Sequence, residues 1–192
     1  MIITKHSLSK RTTFPWTSGT STEIFIYPAD ATFTERNFIF RISTATVEAD
    51  ESVFTHFEGI TRHLMILHGE LELIHEGRYT KHLKPFDCDT FSGEWSTRSK
   101  GRVTDFNLML KQGATGSLIA HHIEKGRTLS LTASGDYYFI YVASGEGNYE
   151  NNEIVKAGDL LHIPDGTQIN LLAHESCSFI EIKVSFEKLK IS

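Results

Sequence analysis

Two short segments carry the residue types and spacings that could do chemistry. HFEGITR, at 56–62, sets His56 and Glu58 just ahead of Arg62, while AGDLLHIPDGTQI, at 157–169, runs Gly158, Pro164 and Gly166 into Ile169. A mononuclear metal site in a β-barrel uses similar spacings: two His separated by one residue and a Glu soon after, then a closing turn that ends on a third His. Such a metal needs about three or four N or O ligands held together. Ile169 has no lone pair to give, and TLSLTASGDYYFIYVASG, at 128–145, holds neither His nor Glu. The second half is therefore expected to keep the Gly and Pro corners of a metal site without the metal.

The first half exchanges ligands for a cation. Counting back from Gly69 puts Arg62 where the metal pattern has its Glu, with His56 and Glu58 near the places of the two His. A guanidinium aimed into a barrel stays charged and is costly there unless it meets a carboxylate. That carboxylate can come from a ligand, making an anion site, or from Glu58 or Asp105, merely ordering a loop. Alternation along FIFRISTATV sets Arg41, Ser43 and Ala45 on one face. Along VTDFNLML it sets Asp105, Asn107 and Met109 opposite Phe106, Leu108 and Leu110. Each strand alone reads as half-buried with a wet polar side; together with Arg62 they read as the lining of a pocket.

The elements that must position these residues are strands. TEIFIY, NFIFRISTATV, HLMILHGELELI, VTDFNLML, SLIAHHI, TLSLTA, YYFIYVA, DLLHIP and SFIEIKV have β-rich composition or two-residue alternation, and no stretch sustains a helical period. KQGATGS, at 111–117, is the best interior linker. An internal echo supports a division there: apolar strands run into Gly69-Glu70 and Gly145-Glu146, and each continues through a polar turn to Asp87 or Asp159. The expected architecture is all-β, two antiparallel jelly-roll β-barrels, with residues 1–112 forming the barrel that carries the pocket and 113–192 a degenerate second one.

Composition narrows the function classes. A 192-residue chain with 40% apolar side chains can bury a core, and a formal charge of −5 offers no positive field for nucleic acid or anionic lipid. The N-terminal MIITKHSLSKRTT lacks the apolar run of a signal peptide and YYFIYVA is too short to cross a bilayer, so a cytoplasmic protein is expected. Cys88 and Cys177 lack redox or zinc spacing and read as reduced structural thiols. His68, His75 and His82 fall seven apart, a spacing that changes strand face, and read as surface imidazoles.

The ordered segments PWTSGTSTEI, FIFRISTATVEAD, SVFTHFEGITR, LHGELEL, KPFDCDTFSGE and GRVTDFNLML resemble the HutD/Ves proteins, bacterial bicupins, over most of residues 14–113. The resemblance maps that family's Trp, Gly, Thr and Glu onto Trp16, Gly19, Thr22 and Glu23. The sequence departs from the family at Thr17-Ser18-Gly19, where Asn-Gly-Gly is usual, at Phe40 for Trp, at Glu58 for Pro and at Thr61 for Asp. HutD proteins are associated with histidine utilisation and with sensing an intermediate such as formylglutamate or urocanate; Ves is linked to stress and cold response.

The resemblance thus implies a bicupin that binds or senses a small carboxylated metabolite and modulates a catabolic pathway. Its expected ligand-binding set is Glu23, Arg41, Ser43, His56, Arg62, Asp105, Asn107 and Met109. No metal, other cofactor, nucleic acid or membrane is expected as partner, and a homodimer stays open. A binding or regulatory protein is favoured. The alternative is a metal-independent isomerase, epimerase or lyase, in which His56 and Glu58 or Asp105 do acid–base work beside an oxyanion-stabilising Arg.

Overall fold

The computed structural model describes residues 2–8 and 11–187, and they form an all-β protein with no α-helix among them. The chain divides into two compact units, one spanning Arg11–Ala114 and the other joining the N-terminal residues to the segment from Thr115 onward.

The first unit packs two antiparallel sheets. The larger runs in the order Thr13–Trp16, Gly19–Tyr27, Phe40–Val47, Val103–Lys111, Ile60–His68 and Cys88–Ser92. The smaller runs Glu51–Val53, Thr97–Lys100, Leu71–His75 and Tyr79–Leu83. Leu64, Ile66, Phe91 and Val103 of the first sheet meet Leu71, Leu73 and Leu83 of the second in one apolar cluster. The alternation of Leu71–His75, buried at every second position, is what a strand facing a core on one side requires. The central strands Phe40–Val47 and Val103–Lys111 differ: Phe40, Ile42, Phe106 and Leu108 are fully buried on one face, while Arg41, Ser43, Asp105 and Asn107 are buried on the other. The reading of these strands as having a wet polar side is thus corrected, because a second sheet and its loops cover that side.

The second unit has a five-stranded sheet, in the order Thr4–His6, Leu160–His162, Tyr137–Ser144, Cys177–Phe186 and Ala114–Ile123, and a four-stranded one, in the order Thr128–Thr132, Gln168–Ala173, Glu146–Tyr149 and Glu153–Lys156. Its first strand comes from the N-terminus, Thr4 pairing with His162 and His6 with Leu160, so residues assigned to the first barrel by sequence order lie in the second unit. The expected linker at 111–117 is also shorter than its composition suggests. One strand runs to Lys111 and the next starts at Ala114, small residues there being compatible with either state. Ile169, at the vacated ligand position, is fully buried with Ile140, Leu161 and Leu171 in the unit's apolar core.

The internal echo extends to individual hydrogen bonds. Phe86 N–H donates to Ile66 O and Ile66 N–H to the Asp87 carbonyl; Gly158 and Val142 repeat the pattern with Asp159. In both corners the Asp side chain accepts from the backbone three residues earlier, Lys84 or Lys156. Gly69 and Gly145, with φ of +85° and +84°, open the two loops, and a Cβ on either would lie against a backbone carbonyl. The corner itself is left-handed at Gly158 and also at Phe86, where φ is +70°.

Candidate functional site

A cavity of about 190 Å³ lies within the first unit. The strand register builds its polar floor: Arg41 stands opposite Met109, Ser43 opposite Asn107 and Ala45 opposite Asp105, while Met109 is also opposite Arg62 on the third strand. Strand parity then turns all of these toward the same side, and each of them lines the cavity. Phe14, Trp16, Phe33, Phe54 and Phe57 supply most of the aromatic wall, from the first strand and from two loops.

The two guanidinium groups are held differently. Arg41 Nε donates to Glu23 Oε2 at 2.8 Å, its Nη1 donates to Ser43 Oγ at 2.8 Å, and its guanidinium lies 4.2 Å from the Phe33 ring centre. Its charge is compensated by the protein. Arg62 Nη2 donates to Asn107 Oδ1 at 2.9 Å, and its guanidinium sits 4.7 Å from the Phe54 ring centre and 5.3 Å from that of Phe91. Its hydrogen-bond partner is an amide, not a carboxylate, and its Nε is buried without any hydrogen-bond partner. Asn107 in turn donates to Asp105 Oδ1, so the order across the floor is Arg62, Asn107, Asp105.

Burial sets the charge states. Desolvation pulls the Arg62 pKa down to about 10, opposed by the field of Asp105 and assisted by that of Arg41, so the side chain remains a cation at neutral pH. Desolvation likewise lowers Arg41, with Glu23 opposing. Asp105 is pushed up to about 7 by burial, against the pull of Arg62 and Asn107. A carboxyl raised in the folded state adds no penalty below the ordinary carboxylate range. Its cost grows as pH rises from there and is complete above about 7. Asp105→Asn is therefore expected to stabilise the protein at pH 8 relative to pH 4 by on the order of 4 kcal/mol, since the rise to about 7 spans about three units of about 1.4 kcal/mol each. Denaturant titrations of both proteins at the two pH values check this; an equal difference at both would sink it.

A family model for HutD matches residues 8–180. The chain belongs to the HutD family. No curated protein matches it. Among solved structures, it is similar to a conserved protein of unknown function from Pseudomonas aeruginosa, with 20% identity, a TM-score of 0.81, and coverage of 96% of this chain and 100% of that one. HutD from Pseudomonas fluorescens gives 20% identity and a TM-score of 0.73 over 95% and 99% of the two chains. A bacterial pirin from Escherichia coli, determined in complex with nickel(II), gives 14% identity and a TM-score of 0.73 over 97% and 100%. At such identities the likeness concerns the fold, which is cupin-like.

In this HutD-family chain the floor residues expected from sequence come together. Arg41, Ser43, Arg62, Asp105, Asn107 and Met109 all line the cavity, whereas Glu23 does not line it and acts as the ion-pair partner of Arg41. His56 does not. The loop after Val53 turns Phe54, Thr55 and Phe57 toward the cavity and leaves His56 and Glu58 exposed, so the imidazole and carboxylate of an acid–base pair are not assembled there. Alternation gave no guide to a loop. The aromatic wall was also missed by sequence reading, although Phe14, Phe33, Phe54 and Phe57 stand in the chain as apolar residues outside the central strands.

The HutD-family chain has a second buried polar cluster, which corrects the reading of His75 as a surface imidazole. His75 is 1% exposed, because Leu71, Leu73 and His75 share the core-facing side of their strand. Its Nε2 donates to Asp89 Oδ2 at 3.0 Å and its Nδ1 lies 2.8 Å from Thr97 Oγ1. Tyr79 and Lys81 also donate to Asp89, at 3.1 and 2.9 Å. His68 and His82 are exposed, as expected. No group of three or more His, Cys, Asp or Glu converges as a metal-ligand set among the described residues. Cys88 and Cys177 are free thiols, and no helix among the described residues is long and apolar enough to cross a membrane.

Proposed function

We propose that this HutD-family protein is a bicupin of two jelly-roll barrels whose first barrel binds a small carboxylated metabolite, formylglutamate- or urocanate-like, and reports its level to a catabolic pathway such as histidine utilisation in the cytoplasm. The observation that carries the reading is Arg62, a buried cation on the cavity floor with an amide for its hydrogen-bond partner and an Nε–H left without one. Leaving a guanidinium desolvated and short of partners is unfavourable, and a ligand carboxylate would supply charge and hydrogen bonds in the fork geometry that Arg offers. The cavity volume and aromatic wall favour a compact, flat or partly apolar body behind the carboxylate.

The reading is tested by calorimetry and thermal shift with urocanate, formylglutamate and related mono- and dicarboxylates. Saturable binding without turnover is expected, together with a melting temperature that rises with ligand concentration, a ligand at about 100 times its Kd stabilising the fold by about 2.7 kcal/mol. No binding across the whole panel would contradict it.

A further inference from the structure

Asp105 is the feature of the cavity that simple anion binding leaves unexplained. A site built to hold a carboxylate places a second carboxyl group 3% exposed on its own floor, hydrogen-bonded to Asn107, which separates it from Arg62. The charged groups facing it are Arg62 on the Ile60–His68 strand and Arg41 on the Phe40–Val47 strand, and Arg41 is already paired with Glu23 of the Gly19–Tyr27 strand. The opposite sheet and its loop bring Val53, Phe54, Thr55 and Phe57 to the cavity, none of them titratable. Among the described residues, Arg62 is thus the floor cation that no carboxylate ion-pairs directly, Asp105 acting on it only through its field and the Asn107 bridge. An ionised Asp105 and an incoming carboxylate would compete for it in a desolvated space, where like charges repel most strongly.

We propose that the cavity takes up a ligand carboxylate together with one proton, the carboxylate seated on Arg62 and the proton held by Asp105. This rests on the carboxylate reading of the same site. With Asp105 neutral, Arg62 is free to pair with the ligand, and the carboxyl O–H becomes a donor toward the bound anion instead of a competing charge. Asn107 fits either state: its amide oxygen accepts from Arg62 while its nitrogen donates to Asp105, so the bridge survives protonation. Affinity then responds to pH near neutrality although a simple carboxylic acid does not titrate there, and one cation accommodates one carboxylate at a time. A second carboxylate on the ligand has to reach solvent or displace Glu23 from Arg41.

The test uses benzoate and trans-cinnamate, flat monocarboxylates that stay ionised throughout, titrated into the intact protein from pH 6 to 8 in buffers of differing ionisation heat. With Asp105 near pH 7 when free, binding is expected to be about tenfold weaker at pH 8 than at pH 6, with nearly one proton taken up per ligand at pH 8 and little at pH 6. Asp105→Asn should bring the ratio between the two pH values close to one and abolish the uptake. The proton count on the wild-type protein decides the matter even where that variant fails to fold. Binding with no proton uptake and a flat profile, or a profile that survives Asp105→Asn, overturns the coupling while leaving the carboxylate site in place. Failure of both acids to bind at every pH overturns the site itself.

Discussion

Arg62→Met is expected to abolish carboxylate binding, weakening it by at least about 100-fold, while changing the stability of the protein by no more than about 1 kcal/mol. The loss follows from removing the cavity cation that, among the described residues, no carboxylate ion-pairs directly; truncating a buried, charge-assisted contact commonly costs about 2–5 kcal/mol of binding. The near-neutral effect on folding follows from what methionine leaves behind. It fills the space against Phe54, Phe57 and Phe91 with a polarizable apolar chain and removes the cost of burying a guanidinium. Asp105, deprived of the cation, goes neutral, which its position at about 7 allows near physiological pH. Asn107 loses one partner and keeps the other. Calorimetry and denaturant unfolding on the same preparation separate the two effects. Lower stability with unchanged binding would assign Arg62 to the scaffold.

A larger loss of stability is expected at the buried polar cluster around Asp89. Asp89→Ala should cost about 3–5 kcal/mol, in the range found when a buried, multiply bonded charge is removed and its partners stay behind. Asp89 is the common acceptor of His75, Tyr79 and Lys81, and His75 cannot turn to water, because Tyr79, Phe91 and Trp95 surround its ring at 4.7, 4.6 and 5.3 Å. Burial by itself pushes the Asp89 carboxyl up, yet the hydrogen bonds from Lys81, His75 and Tyr79 together hold it below the ordinary carboxylate range. A depressed carboxylate contributes its stability above that range and loses it as pH falls through the folded-state pKa. The gap between wild type and variant should therefore be full at neutral pH and shrink in strong acid. Urea unfolding curves across pH, with the slope unchanged, are the check; a variant as stable as wild type at pH 7 would contradict the account. Phe91 touches both this cluster and Arg62, so the two polar centres share a wall.

The legible parts of the molecule were those in which one strand period decides. Arg41, Ser43 and Ala45, and Asp105, Asn107 and Met109, were paired correctly by face because side chains alternate along any strand, and the structure sets both rows into one cavity. The corners at Asp87 and Asp159 were visible as a repeat because in each the Asp side chain closes the turn by accepting from the backbone three residues earlier. What sequence did not disclose depended on partners far along the chain. His75 looked like one of three spaced imidazoles, and only the arrival of Asp89 and Thr97 from other strands makes its burial affordable. His56 stood in the right segment, but loop geometry turned the neighbouring phenylalanines inward instead. Thr4–His6 carries no sign of belonging with Leu160–His162, since strand pairing across some 150 residues is a property of the fold rather than of either segment.

Carboxylate binding on Arg62 of the first unit is to be tested by a crystal structure of the protein grown with urocanate or formylglutamate. The expected result is electron density for the ligand within the cavity, its carboxylate within hydrogen-bond distance of the Arg62 guanidinium and its body against Phe54 and Phe57. Density elsewhere on the protein, or a saturating ligand that leaves Arg62 bonded to Asn107 alone, would contradict it.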